Sequence, residues 1–292
     1  MEWAALSLLA AFGQSLSWAL NKKALNQSGV NNLASLVIYA VAASVLTLFY
    51  FFFETREISL SLTFWGAMIG VVILNILAVW AGYKAVDKTS LLTLMPFMSL
   101  TALAIVPIEY VLRGVLPTGM QIWGMVVVVL GAIIVTMQTK PTKEALTVAK
   151  YFAVTLVCYS ITSPLQGVTV TESGSGLFVA AIAHISIALG FIPIVLMAKE
   201  GRAVALLKEQ GQWLMTLKWM VLAGLVIALL ENGPINIALE SATASEVFAL
   251  KRTMPFFALL LGVAIFKEKL TLRHGIGTAF LVIGSALIIW YR

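Results

Sequence analysis

Ten stretches of the chain, at roughly 3–21, 33–53, 62–82, 89–112, 118–138, 151–169, 177–198, 219–239, 243–266 and 275–291, are apolar over the length of about 20 residues that a helix needs to cross a bilayer. The connections between them are short, and none could house a soluble domain. In hydrocarbon every backbone N–H and C=O must be satisfied within its own segment, so segments of this length are helices. Barrel strands would be half as long and would alternate in polarity. With 61% hydrophobic and 11% charged residues, the chain lacks the polar side chains to cover a soluble globule. The fold class expected is an all-α polytopic membrane protein with ten transmembrane helices, its environment the lipid bilayer of a bacterial or archaeal cell membrane.

Met1-Glu2-Trp3 carries no basic n-region, and no small-residue cleavage site follows before Lys22, so the start reads as a retained helix and not a signal peptide. The single cysteine, Cys158, excludes an internal disulfide and lies in an apolar run as a small core residue. The net charge of +6 would suggest nucleic acid in a soluble protein. Here the basic residues lie in short loops, which concerns topology and not a nucleic-acid partner. The loops after the odd-numbered helices hold fourteen of them: Lys22, Lys23, Lys84, Lys88, Lys140, Lys143, Lys150, Lys199, Arg202, Lys208, Lys218, Lys267, Lys269 and Arg273. The opposite side holds Arg56, Arg113 and Arg292. The positive-inside rule then faces both termini away from the cytoplasm. The connection from Lys199 to Trp213 reads as a surface helix with a Lys208-Glu209 pair, and Ser173-Gly174-Ser175-Gly176 reads as a flexible loop.

The second half repeats the first. Ala85 to Val135 lies over Ala238 to Ile288 at a constant offset of 153 residues, which matches Thr118 with Thr271, Gly124 with Gly277 and Gly131 with Gly284. These glycines line one face of the fifth and tenth helices, and small residues so placed let two helices approach closely. A competing register pairs Met95-Pro96-Phe97 with Met254-Pro255-Phe256 and Glu109 with Glu268. Either register implies two halves of five helices, 1–140 and 145–292. An odd number per half gives the halves opposite orientation in the membrane, the inverted-repeat architecture of an alternating-access carrier that works as a monomer.

The run Ala238-Leu239, Ala244-Ser245, Pro255, Phe266-Lys267-Glu268-Lys269-Leu270-Thr271, and Gly277 with Gly284 resembles the repeat of the EamA-type transporters of the drug/metabolite transporter superfamily. The resemblance implies ten helices, two inverted five-helix repeats, and export or exchange of small metabolites such as amino acids. The first half departs from the pattern, with Val115 where the loop acid Glu268 is expected and Ala102 opposite Pro255. The family's usual topology places both termini in the cytoplasm, against the charge tally.

Leu229-Leu230-Glu231-Asn232-Gly233-Pro234 and Ala249-Leu250-Lys251-Arg252-Thr253-Met254-Pro255 put one acid and two bases inside apolar runs. Counted from a turn near Ala242, Glu231 lies eleven residues back and Arg252 ten forward, the same depth of roughly 15 Å in a helical hairpin. Charges at mid-membrane are costly and mark functional sites. Glu231 reads as a substrate counter-ion, a proton carrier, or half of a buried salt bridge with Lys251 or Arg252. Adjacent helical residues point about 100° apart, so Lys251 and Arg252 cannot both face Glu231, and one base is left for an anionic group on a substrate. Arg252 is the better carboxylate holder. Asn232 belongs to the same stretch. Pro234 and Pro255 leave the carbonyls of Leu230 and Lys251 without their helical donors, which makes each a candidate hinge.

Gln14, Trp18 and Asn21 form a stripe on the first helix, and Tyr159, Thr162 and Gln166 a similar one on the sixth. Each reads as pocket wall for a small solute or as interhelical packing. His184 is a core histidine or a proton relay; Trp80 and Tyr83 read as interfacial belt residues; Glu109 pairs with Arg113 at the membrane edge; Glu240 and Glu246 read as solvated turn residues. The expected function is a secondary transporter of small organic metabolites, with proton coupling through Glu231 or His184. A cation or drug efflux carrier of the same fold is the alternative. An intramembrane enzyme lacks HExxH, GxSxG and an acid pair on one helix face; a channel lacks a filter loop; no GxxxxGK[ST] run supports ATP drive. Neither metal nor cofactor is expected.

Overall fold

The computed structural model describes residues 2–25, 30–86, 98–136, 143–198, 200–209, 211–266 and 271–291. Met95, Pro96, Phe97, Lys88, Lys140, Lys199, Lys267, Glu268, Lys269, Leu270 and Arg292 lie outside the described residues, as do the side chains of Lys22, Lys143, Arg202 and Phe266. Among the described residues every regular element is helical. In chain order these are α1 (Glu2–Leu25), α2 (Asn31–Phe53), α3 (Leu62–Val86), α4 (Thr101–Arg113), α5 (Gly119–Thr136), α6 (Lys143–Ser173), α7 (Gly176–Ala198), α8 (Gly201–Glu209), α9 (Trp213–Val226), a π turn (Ile227–Asn232), α10 (Gly233–Ala238), α11 (Ala244–Lys251), α12 (Met254–Phe266) and α13 (Leu272–Trp290).

Seven helices among the described residues are long and apolar enough to cross a membrane: α1, α2, α3, α6, α7, the continuous run from α9 through α10, and α13. The apolar segments at 89–112, 118–138 and 243–266 contain the shorter helices α4, α5, and α11 with α12. Several helices overrun the apolar segments read from sequence, because a helix does not stop where hydrocarbon does. Lys23 lies in the last turn of α1, and Lys218 lies inside α9, not in the preceding loop as the charge tally placed it.

The side-chain distribution is the reverse of a soluble protein. Leu48, Phe51, Phe52, Leu62, Leu196 and Leu214 are exposed, while Gln14, Thr162, Glu231, Asn236, Lys251 and Arg252 are buried. An apolar exterior around a polar interior is stable only in lipid. The helices pair as α2 with α7, α3 with α6, α5 with α13, and α1 with the run from α9 to α10. At the α5–α13 crossing a Cβ on Gly124 would lie 2.8 Å from the Gly284 carbonyl oxygen, and one on Gly131 2.8 Å from that of Gly277. Glycine is therefore required for the backbones to meet, as the sequence spacing anticipates.

The Ser173–Gly176 stretch is a tight turn and not a loose loop. Helix α6 runs to Ser173, Gly174 takes φ 76° with its N–H on the Val170 carbonyl at 2.9 Å, and α7 begins at Gly176. Ser173 and Ser175 are buried in it.

Candidate functional site

Two breaks in helical geometry position the charged side chains. In the α9–α10 run the chain widens into the π turn, where the N–H of Gly233 reaches back five residues to the Ala228 carbonyl. Pro234 begins the next turn without an N–H, and the wider turn absorbs its ring. The carbonyl of Leu230, which loses its donor to Pro234, packs against Gly13 of α1 so closely that no side chain would fit there. In the other arm α11 ends at Lys251, Arg252 and Thr253 form a non-helical step, and α12 restarts at Met254-Pro255. Ser15 of α1 donates to the Met254 carbonyl at 2.8 Å across this break.

These breaks bring Glu231, Lys251 and Arg252 together, all buried. Lys251 Nζ donates to Glu231 Oε1 at 3.1 Å, and Ser17 of α1 donates to Oε2 at 2.9 Å. Arg252 takes another direction. Its Nε donates to Thr101 Oγ1 at 2.5 Å and its Nη1 to Gln14 Oε1 at 3.4 Å, both neutral partners. The ion pairs formed among the described residues do not include Arg252. One carboxylate thus serves two cations, and among the described residues the guanidinium is the one with no carboxylate in contact.

A cavity of two adjoining lobes surrounds this cluster. The first, about 50 Å³, is lined by Arg252, Lys251, His184, Asn75, Thr162 and Gln166, among others. The second, about 40 Å³, has Ser17, Trp18, Asn21, Tyr83 and Thr155 in its wall. Gln14, Tyr39, Tyr159, Glu231 and Asn232 belong to both. At about 10–15 Å³ per water, each lobe has room for only a few waters, so an organic solute requires the helices to part. Both polar stripes read from the sequence face this space. Gln166 Nε2 donates to Asn236 Oδ1 at 2.9 Å, and Trp18 packs edge-on against Phe152.

Several sequence expectations need correction. Tyr83 is not a belt residue: its hydroxyl accepts from Asn21 Nδ2 at 3.1 Å in the wall of the second lobe. Trp80 is half-buried, with Lys84 Nζ 4.3 Å from the centre of its ring. His184 is not fully satisfied, since Nδ1 bonds the Ala180 carbonyl at 2.8 Å while Nε2 is buried without a partner. Glu246 is not solvated: it is buried, closes a capping box with Thr243, and accepts from Gln121 at 2.7 Å. Glu109 pairs with Arg113 at 3.2 Å as expected, yet it is fully buried and also accepts the α11 N–H groups of Ala244 and Ser245 at 2.7 and 2.6 Å. Glu240 takes Arg56 at 2.9 Å and the Gly176 N–H at 2.7 Å.

These last contacts form a clamp at the face carrying the α2–α3, α6–α7 and α10–α11 turns. Arg56 bridges Glu54, at 2.7 Å, and Glu240, while Ser175 donates to Glu54. The guanidinium of Arg56 chiefly holds the Glu54 carboxyl down to about 2, and Ser175 adds to this against the opposing effect of burial. Glu54 in turn raises the Arg56 guanidinium above its usual value.

Ser17, Tyr39, Asn75, Thr101 and Asn236 are site residues that the sequence stripes missed. Ser17 shares the face of Gln14 and Asn21, and Asn75 is a lone amide within Val-Val-Ile-Leu-Asn-Ile-Leu, so both left a signal. Thr101 left none. Among the described residues no three His, Cys, Asp or Glu side chains gather as a metal site.

The stretch that runs from α6 to α13 is matched by a family model. The model of the EamA-like transporter family covers residues 147–290. These residues belong to the EamA-like transporter family, within the drug/metabolite transporter superfamily. No curated protein matches the chain. Among solved structures 29 chains match; one, a crystal structure of a protein with 14% sequence identity, superposes at a TM-score of 0.68 over 97% of this chain and 98% of that one. That likeness concerns the fold alone, and it extends beyond the EamA-like half to the whole chain. With its apolar exterior, the chain is an integral membrane protein whose residues 147–290 match a transporter family.

Proposed function

We propose that this protein is a secondary carrier that exports or exchanges small carboxylate-bearing metabolites, amino acids among them, by alternating access. One observation carries the substrate class: Arg252 is a buried cation on the chamber wall whose hydrogen bonds among the described residues go to neutral groups. An uncompensated charge in low dielectric is stabilised by an incoming anion, and the planar guanidinium suits a carboxylate held bidentately. A cationic drug would instead meet a chamber with one more positive than negative side chain. Glu231 is the group for a substrate amine or a coupled proton, reached by displacing Ser17 or Lys251.

The architecture proposed is ten spans in two inverted five-helix repeats, 1–140 and 145–292. Helix pairing supports it. A two-fold axis in the membrane plane pairs the second span with the seventh and the fifth with the tenth, and exchanges the third–sixth contact with the first–eighth; α2 with α7, α5 with α13, α3 with α6, and α1 with the α9–α10 run fit that pattern. The Gly124–Gly284 and Gly131–Gly277 contacts are likewise exchanged by it. Both halves line one chamber within a single chain, so the working unit is a monomer, located in a bacterial or archaeal cell membrane. No enzymatic step is assigned to the site.

Proteoliposome uptake of labelled L-alanine, L-phenylalanine and the matching hydroxy acids tests this. Saturable flux is expected, falling at least tenfold in Arg252→Ala with partial recovery in Arg252→Lys. Carboxylate flux at the normal rate in Arg252→Ala would remove the reading. A response to an imposed pH gradient that disappears in Glu231→Gln marks proton coupling; equal flux with and without the gradient marks facilitated diffusion.

A further inference from the structure

His184 lies in the middle of α7, buried, in the wall of the same lobe as Arg252. Its Nδ1 is 2.8 Å from the Ala180 carbonyl oxygen. A carbonyl only accepts, so Nδ1 must carry the hydrogen, and in the neutral ring Nε2 is left with a bare lone pair. One ring face is covered by Tyr39, stacked at 5.4 Å between centroids, and Tyr39 stacks in turn on Phe191 at 6.4 Å. The ring is thus held on one edge and one face, and the nitrogen left over on this lobe-lining residue is Nε2. That atom is buried and has no hydrogen-bond partner among the described residues. A desolvated acceptor of this kind is costly unless something donates to it.

Asn21 also presents an unpartnered Oδ1 in the second lobe. Its amide could be turned end for end against the Tyr83 hydroxyl, which both donates and accepts, so it does not settle whether a donor or an acceptor is wanted. The carbonyl beneath His184 does settle it.

We propose that His184 Nε2 is a specificity-determining acceptor for an N–H or O–H on the transported solute. Resting on the anion site at Arg252, this narrows the substrate to small carboxylate-bearing solutes that carry their own hydrogen-bond donor, zwitterionic α-amino acids or α-hydroxy acids, and disfavours plain carboxylates. Arg252 and His184 line the same lobe, about 50 Å³ in volume. His184 acts here by reading the solute, and the ring need not gain or lose a proton.

The experiment compares two matched series on purified protein, by thermal shift and by counterflow in proteoliposomes: L-alanine, L-lactate and propionate; and L-phenylalanine, L-phenyllactate and 3-phenylpropionate. Within at least one series the donor-bearing acids should bind roughly ten- to a hundredfold more tightly than the acid lacking the donor. His184→Phe, which keeps the stack on Tyr39, should erase that preference by weakening the donor-bearing acids to the level of the plain one. His184→Gln, which offers an amide oxygen as acceptor, should restore part of it. Equal affinity across a series in the native protein, or a preference that survives His184→Phe, overturns the assignment while Arg252-dependent binding stands. If no acid of either series binds, or binding is the same in Arg252→Ala, the anion site itself fails and His184 falls with it.

Discussion

Replacing Glu231 with Gln keeps the shape of the side chain and removes its charge. Lys251 Nζ then has no charged partner at 3.1 Å and keeps the neutral amide oxygen of the new side chain and the Phe248 ring, 5.7 Å away. Breaking a buried pair from one side costs about 3–5 kcal/mol, and in a chain of this size that lowers the melting temperature by roughly 5–12 °C. The charge count makes the two single variants unequal. Glu231→Gln leaves two cations with no acid, whereas Lys251→Met leaves one acid facing Arg252, so the first should be the more damaging. The double variant Glu231→Gln with Lys251→Met removes both members of the pair and should recover more than half of the loss, a coupling of about 2–4 kcal/mol. Melting of the four detergent-solubilised proteins at pH 7, each folded by size-exclusion profile, gives the cycle directly. Loss in the double variant equal to the sum of the two singles would show that the pair is not an energetic unit, and the reasoning that leaves Arg252 for a substrate would lose its basis.

At the α5–α13 crossing, Gly131→Val places a side chain against the Gly277 carbonyl, with a Cβ only 2.8 Å away, and should cost about 1–3 kcal/mol by melting. Gly66→Ala, with nothing within 4 Å, should be silent. The clamp should respond to acid: Glu54 is held down to about 2 from 4.5, so its contribution is complete above about pH 4.5 and is lost as pH falls toward 2. In a melting-temperature series over that window Arg56→Met should flatten the slope; an unchanged slope would mean the clamp carries none of it. A compartment-sensitive reporter fused to the C-terminus should read extracytoplasmic, and a cytoplasmic signal would overturn the charge argument for orientation.

Much of this site could be read along the chain. The depth of Glu231 and of Lys251-Arg252 follows from counting residues at a fixed rise, and counting put them level before any packing was known. The spacing of Gly124 with Gly131 and of Gly277 with Gly284 also carried its meaning, since a close crossing needs small residues at helical intervals on both partners. What counting could not reach was direction. Whether Lys251 or Arg252 turns to Glu231 depends on the non-helical step at Arg252-Thr253 and on the extra residue in the π turn, both of which rotate everything beyond them. Glu246 and Tyr83 were misread for the same reason, because their partners, Gln121 and Asn21, lie far off in sequence.

From the sequence alone come the membrane environment, the helical spans, the close glycine crossing and the presence of buried charge, because hydrophobic length and residue spacing act locally and add along the chain. The tertiary structure alone decided that Lys251 closes the ion pair, that Arg252 faces neutral partners, and that His184 keeps one nitrogen bare. Those depend on the rotation of each helix about its axis and on which distant side chains fill the space opposite, and neither quantity is local.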